Sequence, residues 1–163
     1  MLFRSVLSAL DGRIAAILDG GPCRGGLEST VLDLTEAVPR LLRPGLVSIA
    51  MLVAVIGEIR QATTTAGPSR SPGQMAKHYA PHTPLVLANG IAEVERIRTE
   101  FSERGLRVAC VNISGEPVEY AEALYAILHE FDRGHYDLLV VEMPPDTPEW
   151  AAVRDRLTRA AAG

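Results

Sequence analysis

Lysine is almost missing from this chain. Lys77 is the only one in 163 residues, and arginine carries the rest of the positive charge. Cysteine is nearly as scarce. Cys23 and Cys110 stand far apart in different segments, which leaves no disulfide framework and no thiolate metal spacing. No apolar run approaches the roughly 18 residues of a membrane span, and nothing at the N-terminus has the form of a secretory signal. No membrane contact is expected, and a reducing cytoplasm is the expected compartment. A basic face is lacking too. The net charge is −4, unevenly spread. Residues 1–57 hold five Arg and five acids, residues 58–84 hold Arg60, Arg70 and Lys77 against Glu58, and residues 85–163 hold eight Arg against fourteen acids. A grip on a long nucleic acid needs a basic surface, so no direct nucleic-acid contact is expected. A small anionic ligand near residues 58–84 stays compatible with the charge. Apolar residues make up 47% and charged residues 22%, which fits a packed chain rather than a disordered one.

What is present falls into three stretches. In residues 1–57, residues 6–10 have a helical look and Ala15–Asp19 reads as a short apolar strand. Gly20 to Gly26 is a turn cluster, and Ser29–Leu34 and Pro39–Leu42 read as strands. Ser48 suits an N-cap for a short helix over Ile49–Ile56, closed by Gly57. These elements do not balance, because a sheet is left without cover. Residues 58–84 hold three consecutive threonines and four prolines with little apolar periodicity, and read as a linker or lid. From residue 85 the rhythm is regular. Strands are expected at Leu85–Ala88, Arg107–Asn112 and Leu138–Glu142. Between and after them come amphipathic helices. The first is capped by Asn89, with Ile91, Val94, Ile97 and Phe101 on one face. The second carries Ala121, Leu124, Tyr125, Leu128 and Phe131. The third starts at Thr147-Pro148, with Trp150, Val153 and Leu157 inward. That alternation implies a small Rossmann-like parallel sheet. The fold class is therefore α/β, an incomplete α/β portion followed by a parallel-sheet domain.

Within the linker, Ser71-Pro72-Gly73-Gln74-Met75-Ala76-Lys77-His78-Tyr79-Ala80-Pro81 places a cation, an imidazole and a phenol in sequence between two prolines. Proline restrains its own φ and the residue before it, so a polar segment pinned in this way has a shape suited to reach a ligand. Other candidates carry less. His78 and His82 are four apart, but Pro81 between them defeats helical metal-ligand geometry, and no metal site is assigned. Cys23 has no identifiable His or acid partner for nucleophilic work. Gly20–Gly26 matches neither a P-loop nor a dinucleotide fingerprint. Taken alone, Ser29-Thr30 is a β-compatible pair and Arg43 before Pro-Gly is a turn residue.

Taken together, several short motifs carry a resemblance. They are Leu18-Asp19-Gly20-Gly21-Pro22-Cys23-Arg24, Gly26-Leu27-Glu28-Ser29-Thr30-Val31, Leu42-Arg43-Pro44-Gly45, Ser71-Pro72-Gly73 and His78-Tyr79-Ala80-Pro81. Their order and spacing resemble the two-domain threonylcarbamoyl-AMP synthases, which have a YrdC-like catalytic domain, a linker and a smaller C-terminal domain. The tail, through Tyr120–Tyr125 and Arg154-Asp155-Arg156-Leu157, is similar to that C-terminal domain. The resemblance implies that residues 1–57 end the YrdC-like domain, 58–84 form the linker and 85–163 the C-terminal domain. It implies a reaction that condenses L-threonine, bicarbonate and ATP, with Mg²⁺ accompanying the nucleotide. The product, threonylcarbamoyl-AMP, passes to proteins that transfer the threonylcarbamoyl group to tRNA. By the family pattern Ser29 is a threonine-site residue, Arg43 an ATP contact, and Tyr79 with His78 closes over the nucleotide. The chemistry fits: arginine's fork suits phosphate oxygens, a hydroxyl suits a small amino acid, and a labile mixed anhydride needs water excluded.

The chain departs from the family pattern in two ways. Met75 stands where the family's linker often has a basic residue, so fewer linker–phosphate contacts are expected. The portion carrying the family's basic pair for ATP phosphates and the entrance for threonine has no counterpart here. The expectation is a C-terminal part of a synthase, inactive by itself. The alternative is a non-enzymatic Rossmann-like module that binds a nucleotide or a partner protein.

Overall fold

The computed structural model describes residues 6–7, 10–21, 25–61 and 80–162. The first sheet is small. β1 (Val31–Asp33) and β2 (Arg40–Arg43) pair antiparallel, with Val31 opposite Arg43 and Asp33 opposite Arg40. Asp33 organises the turn between them. Its carboxylate accepts from the Thr35 amide at 3.0 Å, the Thr35 hydroxyl at 2.6 Å and Arg40 Nη2 at 3.1 Å. Helix α1 (Ile49–Ile56) starts where expected, with Ser48 Oγ accepting from the Met51 amide at 3.2 Å. It ends at Gly57, whose φ of 80° suits a residue without Cβ. None of its residues is buried, and Val55 is 83% exposed.

Two expectations fail in this region. Ala15–Asp19 is not a strand: a strand exists through its ladder, and among the described residues this stretch has no ladder partner and leaves Leu18 97% exposed. The stretch from Glu58 onward is not wholly irregular. β3 (Arg60–Gln61) adds to β2 in parallel, with Arg40 opposite Arg60, so the chain leaves the first sheet as an edge strand.

The second sheet follows the expected alternation. Its elements are β4 (Leu85–Ala88), α2 (Ile91–Glu103), β5 (Val108–Val111), α3 (Pro117–Asp132), β6 (Leu138–Glu142), a 3-10 turn (Pro148–Trp150) and α4 (Ala151–Ala161). All three strands run parallel in the order β4-β6-β5. The central β6 is an unbroken apolar run, Leu138 to Val141, because both of its faces are covered. Successive side chains alternate between those faces. Leu138 and Val140 join Val94 and Ile97 of α2, while Leu139 and Val141 join Leu124 and Leu128 of α3 and Val153 and Leu157 of α4.

Helix starts differ in detail from the expectation. Asn89 does not cap α2. Gly90 does, at φ 93° and without a side-chain cap bond, and Glu93 reaches back to accept the Asn89 amide just ahead of the helix at 2.6 Å. Ile91, expected inward, is 65% exposed, and the buried stripe begins at Val94. Thr147-Pro148 opens a 3-10 turn rather than the helix itself, which begins at Ala151. Helix α3 has a reciprocal capping box between Glu116 and Glu119, with Pro117 opening the first turn.

Where the chain enters β4, Asp132 at the end of α3 accepts the Thr83 amide at 2.8 Å. Burial pushes the Asp132 carboxyl up, but the amides of Thr83 and His82 outweigh burial and hold it below the ordinary aspartate value. A carboxyl lowered in the folded state adds stability that is complete above its unfolded-state pKa and is lost as pH falls through the folded-state value. Asp132→Asn mimics the protonated acid. Its urea midpoint is expected to lie below wild type at about pH 6 and to converge with wild type below about pH 3. Leu157, fully buried against the sheet, tests the core. Leu157→Ala is expected to cost about 2–5 kcal/mol of unfolding free energy in urea titration.

Candidate functional site

The two sheets meet through residues 25–28 and 43–45, the segments that carry the family-like motifs. Arg43 is the last residue of β2, nearly buried, and its Nε donates to the Ser29 carbonyl at 3.1 Å. This contact brings Arg43 against the backbone of Ser29. Ser29 itself stays exposed. One residue on, the Thr30 hydroxyl donates to the Val47 carbonyl at 2.8 Å, tying the entry of β1 to the segment that leads into α1. His78 and Tyr79 lie outside the described residues, as do Lys77 and Cys23.

Gly45 lets these segments approach. A Cβ there would sit 2.3 Å from the Thr30 nitrogen and 2.7 Å from the Ser29 carbonyl carbon, far inside contact distance. The glycine in Arg43-Pro44-Gly45 therefore does more than end a strand. It permits backbone-to-backbone packing of the Arg43 loop on the Ser29 strand.

The other half of the site belongs to the parallel-sheet part. Arg156 of α4 is only 3% exposed, yet it stands on the apolar stripe with Val153, Leu157 and Ala160. Its Nε donates to Glu28 Oε2 at 2.8 Å, its Nη2 to the Pro44 carbonyl at 3.1 Å, and its Nη1 to Asp155. The Tyr125 hydroxyl of α3 reaches the same Glu28 oxygen at 3.3 Å. Asp155 also accepts from Arg159 at 2.9 and 3.0 Å. Burial pulls the Arg156 pKa down, but the Glu28 hydrogen bond and the charges of Asp155 and Glu28 more than reverse it, and the guanidinium stays charged.

Glycine again sets the distance. The Gly25 amide donates to Glu122 Oε1 of α3 at 3.0 Å. A Cβ on Gly26, whose φ is 60°, would lie 2.4 Å from the Glu122 Cα. Leu27 packs on the core beneath α3 and α4. The turn expected over Gly20–Gly26 is present at Gly25 and Gly26, and there the Gly25 amide and the bare Cα of Gly26 also make the close contact with α3. Sequence reasoning also missed Glu28 and Arg156. The signal for Arg156 was available, because a charge placed at i+3 from Val153 and one before Leu157 on a buried helix stripe demands a partner.

Away from these residues, a concavity of about 240 Å³ opens at the C-terminal ends of β5 and β6 beside Asn112, Glu142 and Trp150. It is smaller than the roughly 300–1,000 Å³ of ordinary small-molecule sites. Tyr120 and Trp150 meet edge-to-face at 5.3 Å, so these rings are engaged with each other. That geometry does not favour a nucleotide platform here.

Residues 47–162 match the model of a family described as threonylcarbamoyl-AMP synthase, C-terminal domain, and residues 3–45 match a model described as telomere recombination. The threonylcarbamoyl-AMP synthase of Bacillus subtilis (strain 168) is 35% identical, covering 94% of this chain and 51% of the relative. The one from Pyrococcus abyssi (strain GE5 / Orsay) is 34% identical over 92% of this chain and 50% of the relative. The chain thus spans about half the length of the curated relatives it matches. Among solved structures, P. abyssi Sua5 complexed with L-threonine aligns with a TM-score of 0.83 at 30% identity, over 98% of this chain and 53% of that one. A P. abyssi Sua5 variant with an adjacent His and Tyr both replaced by Ala aligns with a TM-score of 0.84 at 28% identity, over 98% of this chain and 52% of that one.

The glycine contact makes a direct prediction. Gly26→Ala is expected to push residues 25–28 off α3. Hydrogen exchange at the Gly25 amide should rise about tenfold or more, while the amides of β6 keep their protection.

Proposed function

This chain belongs to the threonylcarbamoyl-AMP synthase family, and we propose that it contributes to the condensation of L-threonine, bicarbonate and ATP into threonylcarbamoyl-AMP, with release of pyrophosphate. The observation that carries the reading is the likeness over nearly the whole chain to P. abyssi Sua5, solved with L-threonine bound. In support, Arg43 and Ser29, the two ligand-contact residues expected from the motifs, are joined here by a hydrogen bond from the guanidinium to the Ser29 carbonyl.

On this reading residues 1–57 belong to the catalytic domain, 58–84 to a linker that closes over the nucleotide, and 85–163 to a C-terminal domain. The reaction joins a carbamate oxygen of N-carboxythreonine to the α-phosphorus of ATP and breaks the bond to pyrophosphate. Ser29 contributes a hydroxyl to the amino-acid side. Arg43 belongs to the ATP side, and its bond to the Ser29 carbonyl fixes the spacing of the two substrates. Positioning of this kind lowers the barrier because the reacting groups no longer have to find each other.

Tyr79 and His78 are assigned to the lid. The chain has a second His-Tyr pair, His135-Tyr136, but Tyr136 packs on Phe131 with Arg107 over its ring, which suits a structural role. Water exclusion matters because the product is a mixed anhydride. Mg²⁺ enters as part of MgATP. Among the described residues no group of three His, Cys, Asp or Glu side chains could hold a metal by itself. The product goes on to proteins that transfer threonylcarbamoyl to tRNA, and the expected compartment is the cytoplasm.

The test uses the full-length gene product with ATP, L-threonine and bicarbonate, following pyrophosphate release and adenylate formation. Ser29→Ala is expected to raise the KM for threonine about tenfold, the worth of one hydrogen bond. Tyr79→Ala is expected to lower turnover by about 10–100-fold through water entry and misplacement. Pyrophosphate release that ignores threonine would overturn the reading.

A further inference from the structure

We propose that Arg156 is a positioning residue for the substrate pocket, through which the parallel-sheet domain sets the geometry of the Ser29 and Arg43 segments. The inference rests on the function proposed above.

The argument starts from where the guanidinium reaches. Glu28 immediately precedes Ser29, and Pro44 immediately follows Arg43. Arg156 bonds both, Glu28 at 2.8 Å and the Pro44 carbonyl at 3.1 Å. Arg43 bonds Ser29 across the same gap at 3.1 Å. The two segments are therefore cross-braced twice, once from within the first sheet by Arg43 and once from outside it by Arg156. The Arg43 brace does not fix the segments relative to the second sheet. Arg156 does, because α4 is packed on that sheet through Val153 and Leu157.

The choice of side chain points the same way. Burying an arginine is costly, and an apolar residue of similar size at such a site often serves stability as well or better. What an apolar residue cannot do is hold a carboxylate and a carbonyl in two directions at once. Arginine's planar fork does this, whereas lysine's ammonium acts as a single point. Tyr125 and Asp155 complete the cluster. The Tyr125 hydroxyl fixes the same Glu28 oxygen, and Asp155 fixes the third guanidinium nitrogen while being held by Arg159. Each group in the cluster has its orientation set by another.

The experiment compares wild type, Arg156→Met, Arg156→Lys and Glu28→Gln in the full-length gene product. Arg156→Met is expected to lower kcat/KM for threonine about 10–100-fold, as displacement of a positioned group does, with most of the loss in KM. Arg156→Lys, which restores one of the two contacts, should recover part of it. Glu28→Gln combined with Arg156→Met should lose little more than Arg156→Met alone, since the first acts on a contact that the second already removes. Hydrogen exchange supplies a readout independent of activity. Arg156→Met should speed exchange at residues 28–31 and 43–45 and leave β4, β5 and β6 unchanged. If Arg156→Met does not fold, Arg156→Lys carries both measurements. Wild-type kinetics together with unchanged exchange in a folded Arg156 variant would overturn the proposal. A wild-type protein that makes no threonylcarbamoyl-AMP would overturn the function instead, and exchange would still decide whether Arg156 braces these segments.

Discussion

Arg156 must keep its charge with almost no water around it, and the arrangement of the chain follows from how that requirement is met. A buried guanidinium is stable only when its donors are matched. The matches come from three places: a neighbour on its own helix, a carboxylate ahead of β1, and a carbonyl just past β2. Meeting all three brings the loops of the first sheet against α3 and α4. Once there, they can come close only because Gly26 presents bare backbone to α3. Charge satisfaction and the absence of Cβ atoms are thus two sides of one contact.

The parallel-sheet part supplies the rigid ground for that contact. β6 lies between β4 and β5, its two faces filled by α2 on one side and by α3 and α4 on the other. The helices that reach toward Glu28 are the ones that cover a fully buried face, so they have little freedom to shift. A side chain held on such a helix transmits position. The same side chain on a loop would follow its target instead of setting it. On the proposed function, the parallel-sheet part would set the position of the Ser29 and Arg43 segments without any of its own residues touching substrate.

Much of the fold was legible because its elements are locally consistent. Ser48 and Gly57 bracket α1 where capping chemistry puts them, and Leu138–Glu142 is a strand to the residue. The failures have separate causes. Ala15–Asp19 has strand-like residues but no ladder among the described residues, and strand character belongs to pairs rather than segments. Arg60–Gln61 is the reverse case, two polar residues that become a strand because β2 offers an open edge. Asn89 loses the cap position of α2 to Gly90, and its amide is taken by the Glu93 carboxylate. The site was half legible. Ser29 and Arg43 stand out through their motifs, and the fold joins them. Glu28 was written inside the same motif, yet nothing local says what a carboxylate does there.

In the parallel-sheet part, the alternation of strands and helices and most of the buried stripes were settled by the amino-acid sequence alone, because periodicity and capping act over a few residues. The pairing of Glu28 with Arg156 spans 128 positions, and no local pattern encodes which carboxylate meets a given buried charge. Only the packing of α4 on the sheet and the glycine-lined approach of residues 25–28 decide it. They put one acceptor within reach of a guanidinium that cannot turn to water.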